Sequence, residues 1–488
     1  PMTVVEELAY QFEQAGLAPK AYAFLMQTAR RHLQRSLYAE AGVFIDRALR
    51  LEPVARPLML LDHADATLAE LHLARSLSRF HMGRWQSALQ SAEQARALAD
   101  VVPDHALQAR VYAEYGNQLR NQGKNDLAED ALRRALSHAD EAGDDALRPM
   151  PLYHLGALVW AKGDLASAER MWNEVVSSAQ AAGDDRALGF GYNGLGILAV
   201  CEGSTAQARS HLEQSAALFG ELGMLDALAI AQVNLVELYL SSGILSKALA
   251  LSERTVAQAR EVDHPHGIAL GLVYRTNVLL ELGRYREAEQ NANEALRLVR
   301  NLGQSEDEVT ALALLARIAL ETDRAEDALA FLITMWPLLE RHDSEGIAPQ
   351  AEAWRAHALA LLGRTDEACA LLDVERQRAR QWPHLQVRSE LARGRAYAAL
   401  QQVETAREAL ESALQIASHH GYRFFQLCCH HELVELADSD LARAKHQRAG
   451  MSLARSIAGS LPLQEGKYFL KRRWPNLAHN AVRTIPPT

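Results

Sequence analysis

The chain has 488 residues, of which 49% are apolar, enough to bury an extended interior. No stretch approaches the roughly 18–20 continuous apolar residues of a membrane span. No basic segment leading into an apolar core marks a signal peptide, so neither membrane insertion nor export is expected. The net charge of −10 argues against a phosphate backbone as the main ligand, because counterion release needs clustered cations.

Pro1 stands before Met2, which suggests that the natural protein extends further upstream. Residues 1–62 read as N-terminal helical repeats or a cap, with Leu8-Ala9-Tyr10, Gln14-Ala15-Gly16, Lys20-Ala21, Glu40-Ala41 and Ala48-Leu49 spaced along helices.

Residues 63–420 carry the dominant signal. Gly83, Gly123, Gly163, Gly203, Gly243, Gly283, Asp323 and Gly363 recur every forty residues. Five residues after each stands an alanine: Ala88, Ala128, Ala168, Ala208, Ala248, Ala288, Ala328 and Ala368. A fixed period in the 20–50 range marks a repeat architecture in which each unit packs on its neighbours.

Residues 106–143 illustrate one unit. Leu107, Val111, Tyr115 and Leu119 fall at helical spacing, and Gly123 ends that helix. Lys124-Asn125-Asp126 turns the chain, with Asn125 or Asp126 expected to cap a second helix that runs to Gly143. The second helix carries Ala128, Ala131, Leu132, Ala135 and Leu136 on one stripe. Its closing glycine recurs as Gly183, Gly223 and Gly303, with Asp263 and Asp343 as substitutes. Asp144-Asp145 and Asp184-Asp185 follow two of these glycines and are expected to cap the next first helix.

Small residues stand seven before the turn: Gly116, Gly156, Gly196, Thr276, Ala316 and Ala356. They are expected to oppose the alanine five past it, so that two helices approach closely. A further small position lies twelve past the turn, at Ala95, Ala135, Ser215, Thr255 and Ala295.

Residues 421–488 read as capping helices and a basic tail. Residues 441–488 hold nine Lys/Arg (Arg443, Lys445, Arg448, Arg455, Lys467, Lys471, Arg472, Arg473, Arg483) against Glu465 alone. The tail is open to three readings: a solvated cap, a docking surface for an acidic partner, or a nucleic-acid contact through Lys471-Arg472-Arg473-Trp474. Cys201, Cys369, Cys428 and Cys429 show no paired spacing, which fits buried thiols in a reducing cytoplasm. Adjacent Cys428, Cys429, His430 and His431 splay about 100° apart on a helix and cannot close a tetrahedral site by themselves.

The unit resembles the tetratricopeptide repeat: a small residue, a helix, Gly and a charged residue, then Ala and a further small residue, as in Gly196, Gly203, Ala208 and Ser215. It departs in length, since the family's unit has 34 residues, and in aromatic positions that are often aliphatic here. The extra length implies helices of roughly 16–17 residues and about 25 Å. The resemblance implies an all-α fold, a right-handed superhelical solenoid of antiparallel helix pairs. Long repeats of this kind, the segment Leu8–Leu49 and the closing run Leu461–Trp474 look like those of STAND-class signalling ATPases and activators, of the maltose-activator or antibiotic-regulatory type. No GxxxxGK[ST] occurs, so any nucleotide-hydrolysing module would lie outside this chain. No helix-turn-helix with a basic recognition helix is legible after residue 420.

In such stacks the first helix of each unit lines the concave face. Residues three, six, nine or ten, and thirteen before the turn form the stripe opposite the packed side. It collects Arg110, Asn117, Arg120, Tyr153, His154, Trp160, Asn193, Asn234, Glu237, Tyr274, Asn277, Arg317 and His357. Asparagines there can bond an extended peptide backbone, and Tyr153, Trp160 and Tyr274 can anchor apolar groups. His154 reads as an ordinary neutral histidine in a partly buried helix. No nucleophile–base pair, metal cluster or glycine-rich loop is legible, so neither an enzyme nor a cofactor is expected. The expected function is a regulatory arm that binds a protein, peptide or small effector in the groove, with an ATPase module upstream. The alternative is a free-standing scaffold that gathers protein partners.

Overall fold

Each tight turn of the ladder is a helix stop written into the backbone. Gly83, Gly123, Gly163, Gly203, Gly243, Gly283 and Gly363 all have φ between 71° and 87°, and Asp323 takes φ 58° in the same place. The hydrogen bonds repeat as well. At Gly123 the glycine N–H donates to Arg120 O (2.9 Å) and Lys124 N–H to Leu119 O (3.0 Å). This Schellman pattern satisfies carbonyls at the end of the first helix and restarts the chain in the reverse direction within three residues.

The computed structural model describes residues 4–34, 38–58, 64–261, 264–303, 305–342, 347–373 and 383–474. Asp263, Asp343 and Arg483 lie outside the described residues, as do the side chains of Arg472 and Arg473. Within the described residues every regular element is helical. Helices α1 (Val4–Gln14), α2 (Ala18–Gln34) and α3 (Tyr38–Ala55) precede the ladder. The forty-residue units are α4 (Ala64–His81) with α5 (Trp85–Ala99), α6 (His105–Asn121) with α7 (Asn125–Ala142), and α8 (Pro149–Ala161) with α9 (Leu165–Ala182). They continue with α10 (Asp185–Cys201) and α11 (Thr205–Glu221), α12 (Leu225–Ser241) and α13 (Leu245–Glu261), and α14 (Pro265–Glu281) and α15 (Tyr285–Leu302). Next come α16 (Ser305–Glu321) with α17 (Ala325–His342), α18 (Ala348–Leu361) with α19 (Thr365–Asp373), and α20 (Pro383–Ala399) with α21 (Val403–His419). Helices α22 (Arg423–Glu435), α23 (Asp440–Ala458) and α24 (Leu463–Arg473) close the chain.

The chain divides into two compact units, Pro1–Leu195 with Gln214–Leu228, and Gly196–Glu213 with Ala229–Thr488. Each is an all-α, solenoid-type stack of helix pairs. In the first, α4, α6 and α8 adjoin one another, and α5 and α7 each pack between consecutive first helices. In the second, α14, α16 and α18 repeat that arrangement, followed by α20 and α22.

A further turn escapes the sequence ladder. Gln401 adopts φ 61° between α20 and α21, and Gln402 N–H reaches back to Tyr397 O (3.0 Å) as in the other turns. It stands 38 residues after Gly363, two short of the period. The cap expected from Asn125 or Asp126 is not formed: α7 already begins at Asn125, and Lys124 at the N-cap makes no side-chain cap bond. The N-cap position falls on Lys124, whose side chain cannot accept; in the next unit Asp164 stands there and accepts from Ser167 N–H (3.0 Å). The expected aspartate cap forms on α10, where Asp184 Oδ1 accepts from Ala187 N–H (3.0 Å). It does not form on α8: Asp144 Oδ1 accepts from Ala146 N–H (3.0 Å) in a short 3-10 turn, and Arg148 at the α8 N-cap makes no side-chain cap bond.

All eight ladder alanines are fully buried. The residue seven before the turn does approach that alanine, as shown by Thr276 Oγ1 lying 3.5 Å from Ala288 O. Where that residue is glycine, its nearest neighbour is the large side chain nine past the turn. A Cβ on Gly116 would stand 2.6 Å from Leu132 Cγ, on Gly196 2.6 Å from Leu212 Cγ, and on Gly394 2.6 Å from Leu410 Cγ. Trp172 fills this position against Gly156 and also faces Gly194. Its indole N–H donates to Tyr153 O (3.1 Å).

Packing within the second unit is not restricted to sequence neighbours. Tyr422 O–H donates to Val200 O (3.1 Å), and His420 sits against Gly203. Ile457 and Arg423 lie against Gly243, and Tyr468 O–H reaches Gly283 O (3.4 Å) beside a loose Arg284–Glu465 ion pair (3.9 Å). Successive C-terminal elements thus rest on successive tight turns. Trp474, also buried, gathers Phe424, His431 and Phe469 around it.

Gly156→Ala gains about 1 kcal/mol of helix propensity, yet its Cβ would lie 2.5 Å from the fixed Trp172 Nε1. Net destabilisation of about 1–3 kcal/mol is expected from overpacking. Gly143→Ala meets open space and bears only the strain of φ 63°, about 1 kcal/mol. Urea unfolding midpoints of the two variants order them.

Candidate functional site

The stripe residues of the first unit come from α6, α8 and α10. Asn193, which is buried, donates through Nδ2 to Tyr153 O–H (3.4 Å), its counterpart forty residues earlier. Asn117 Oδ1 accepts from Arg120 Nη2 (3.3 Å) and Asn121 Nδ2 (3.2 Å), so α6 binds its own polar face together. Arg110, more exposed, pairs with Glu70 (3.0 Å), which also meets Arg30. Trp160, on the last turn of α8, is half-buried. Tyr153 packs on Phe190 (5.0 Å) and edge-on to His154. Burial pushes the Tyr153 phenol up and the His154 imidazole well below its ordinary value.

Glu114, a carboxylate nine residues before Gly123 that the sequence reading passed over, is buried. It lies on α6 and accepts from Ser76 O–H (2.9 Å) and Gln118 Nε2 (2.7 Å). Burial raises its pKa, against the lowering effect of those two bonds.

In the second unit the residues six before the turn form a bonded column. Glu237, Asn277 and Arg317 occupy this place on α12, α14 and α16. Asn277 Nδ2 donates to Glu237 Oε2 (3.4 Å), and Arg317 Nη1 donates to Asn277 Oδ1 (3.2 Å). Arg317 also pairs with Glu281, a carboxylate that is only 1% exposed. His357 continues the column on α18, and Arg395 on α20 stands six before the unrecognised turn at Gln401. Arg395 bridges Glu321 (2.9 Å) and Glu432 (2.7 Å). Arg388 pairs with Glu237, with its guanidinium 5.3 Å from the Phe425 ring centroid. Asn234 and Tyr274 are half-buried on α12 and α14, and each has a partner.

These contacts join Tyr153 with His154 and Asn193, and Asn117 with Arg120, in the first unit, and Glu237, Asn277 and Arg317 in the second, while Arg110 is drawn to Glu70. Sequence reading missed Glu281, Arg388, Arg395, Phe425 and Glu432. Arg388 and Arg395 lie thirteen and six before Gln401, so recognising that turn would have exposed them. Glu281, two residues before Gly283, had no phase signal.

The family model for the MalT-like TPR region matches residues 192–377. No curated protein sequence matches the chain significantly. Among solved structures, a Rap protein complexed with competence and sporulation factor is similar at TM-score 0.50 and 12% identity, over 80% of this chain and 99% of that one. A Pyrococcus horikoshii STAND protein with a tetratricopeptide repeat sensor aligns at TM-score 0.41 and 13% identity, over 66% of this chain and 53% of that one. The apo form of RapI aligns at TM-score 0.42 and 13% identity, over 80% of this chain and 99% of its own. The fold is thus that of tetratricopeptide-like helical repeats. Over residues 192–377 the repeats match the MalT-like type. Among the described residues no helix is long and apolar enough to cross a membrane.

Two histidines beside the column's arginines report on its burial. Burial, aided by Arg395, lowers His357 from the ordinary 6.5 to about 4. Burial, aided by Arg388, lowers His384 to about 3. The unfolded chain takes up these protons first. Their contribution to stability is therefore present above about 6.5 and lost as pH falls towards those values. The urea midpoint is expected to drop across this acidic interval, and by less in His357→Gln/His384→Gln than in the parent.

Proposed function

We propose that this chain is a non-catalytic sensor region that binds a protein, a peptide or a small effector along its first helices. In this reading it is the regulatory arm of a multidomain transcription regulator of the STAND class. The observation that carries the reading is the column Glu237–Asn277–Arg317, a line of amide and charged groups repeating at forty-residue steps. The two Asn277 bonds, of 3.2–3.4 Å, are long for hydrogen bonds, so an amide ligand can replace them while Arg388 and Glu281 continue to hold Glu237 and Arg317.

The MalT-like repeat match and the Rap-type fold support a protein-interaction role. Tyr153, Trp160 and Tyr274 supply apolar anchoring. Asn117, Asn193, Asn234 and Asn277 supply backbone-matching amides, while Arg110, Arg120, Arg317 and His357 select for acceptor groups. A ligand that spans several first helices stabilises whichever spacing of those helices fits it best. An attached ATPase module would read that population shift.

The test is comparative affinity capture from the native cell extract, using the parent chain and Asn117→Ala/Asn277→Ala. Recovery of the specific partners should fall at least about tenfold, as for loss of interface anchors, with the melting curve retained. Unchanged recovery overturns the groove reading. A partner whose binding leaves ATP hydrolysis by the full-length protein unaltered would favour a plain scaffold.

A further inference from the structure

We propose that His105, His138 and Glu141 form a three-ligand site for a zinc-class divalent cation at the open end of the α6–α7 pair. His105 is the first residue of α6, directly after its N-cap Asp104. His138 and Glu141 lie one turn apart near the end of α7, which stops at Gly143. The tight turn at Gly123 closes one end of this helix pair, and the three side chains meet at the other.

Their ligand atoms already stand at the separations a tetrahedral ion requires. His105 Nδ1 is 2.9 Å from Glu141 Oε2, His138 Nδ1 is 3.6 Å from the same oxygen, and the two Nδ1 atoms are 3.4 Å apart. Zinc bonds of 2.0–2.1 Å to nitrogen and oxygen give a tetrahedral edge of about 3.3 Å, which these three distances bracket. Two histidines and one carboxylate are a common zinc donor set, leaving a fourth position open. Among the described residues this is the one cluster of three such groups whose ligand atoms converge in this way.

Surrounding contacts hold the donors in place. Ser137 O–H donates to Glu141 Oε1 (3.4 Å), leaving Oε2 for the histidines. The His138 ring lies 5.5 Å from Tyr112, whose hydroxyl is fixed by Asp100 (2.7 Å), and 5.6 Å from the His105 ring. Outer contacts of this kind fix ring orientation at metal centres. His105 and Glu141 are exposed, so an ion can enter without opening the fold. The bound ion would pin the start of α6 to the last turn of α7, making the open end of the pair as fixed as the turned end.

The test uses the full chain stripped with chelator and titrated with Zn²⁺ against a chromogenic zinc indicator. One ion per chain is expected, with affinity falling at least about tenfold in His105→Ala and in His138→Ala, as for loss of zinc-site partners. Zn²⁺ should raise the melting temperature of the parent and not that of the double variant, while Co²⁺ should give the visible bands of a tetrahedral N/O site. Absence of stoichiometric binding overturns the proposal and leaves an ordinary surface contact of Glu141 with the two histidines. Binding that persists undiminished in His105→Ala/His138→Ala also overturns it, and points to other donors such as Cys428, Cys429, His430 and His446.

Discussion

Two helix axes can lie close together only where one backbone presents almost nothing to the other, and that constraint organises this protein. The left-handed residue at each tight turn reverses the chain at once. Where a glycine stands seven positions earlier, it receives the large side chain nine positions later. That side chain is leucine at 132, 212 and 410, and tryptophan at 172. The Trp172 indole finds room because Gly194 on the next first helix is also bare.

Most of the fold was legible because its period is a backbone property. A residue that must adopt positive φ is nearly always glycine, so the turns at Gly83 to Gly363 announced themselves. The turn at Gln401 did not, because a side chain bears the strained conformation there and the step is two residues short. The second neighbour of the small residue, nine past the turn, was missed for another reason. Sequence spacing tells which residues share a helix face, but the contact across two helices depends on how far each Cβ leans towards its own N-terminus.

The polar stripe was legible in phase but not in pairing. Positions three, six, nine or ten, and thirteen before each turn were read as one stripe, yet nothing in the sequence says that Glu237, Asn277 and Arg317 bond in succession. Nor does spacing disclose that Arg388, 151 residues from Glu237, completes a pair with it. These links close between elements far apart in the chain, where periodicity carries no information. The resulting column is partly self-satisfied, so any ligand competes with protein groups as well as with water. Such competition favours ligands whose charge pattern copies the groups they displace and disfavours merely apolar ones.

Arrays of helical hairpins ordinarily gain or lose a unit with little penalty, since each one meets only those beside it. The second compact unit has given up that freedom. Tyr422, Ile457 and Tyr468 rest in order on the turns at residues 203, 243 and 283. Duplicating or deleting one hairpin between these two series would slide every one of the seats out of register together. The number of hairpins here is therefore fixed by the architecture, and lineages of this protein should vary in loop length and surface composition long before they vary in repeat count.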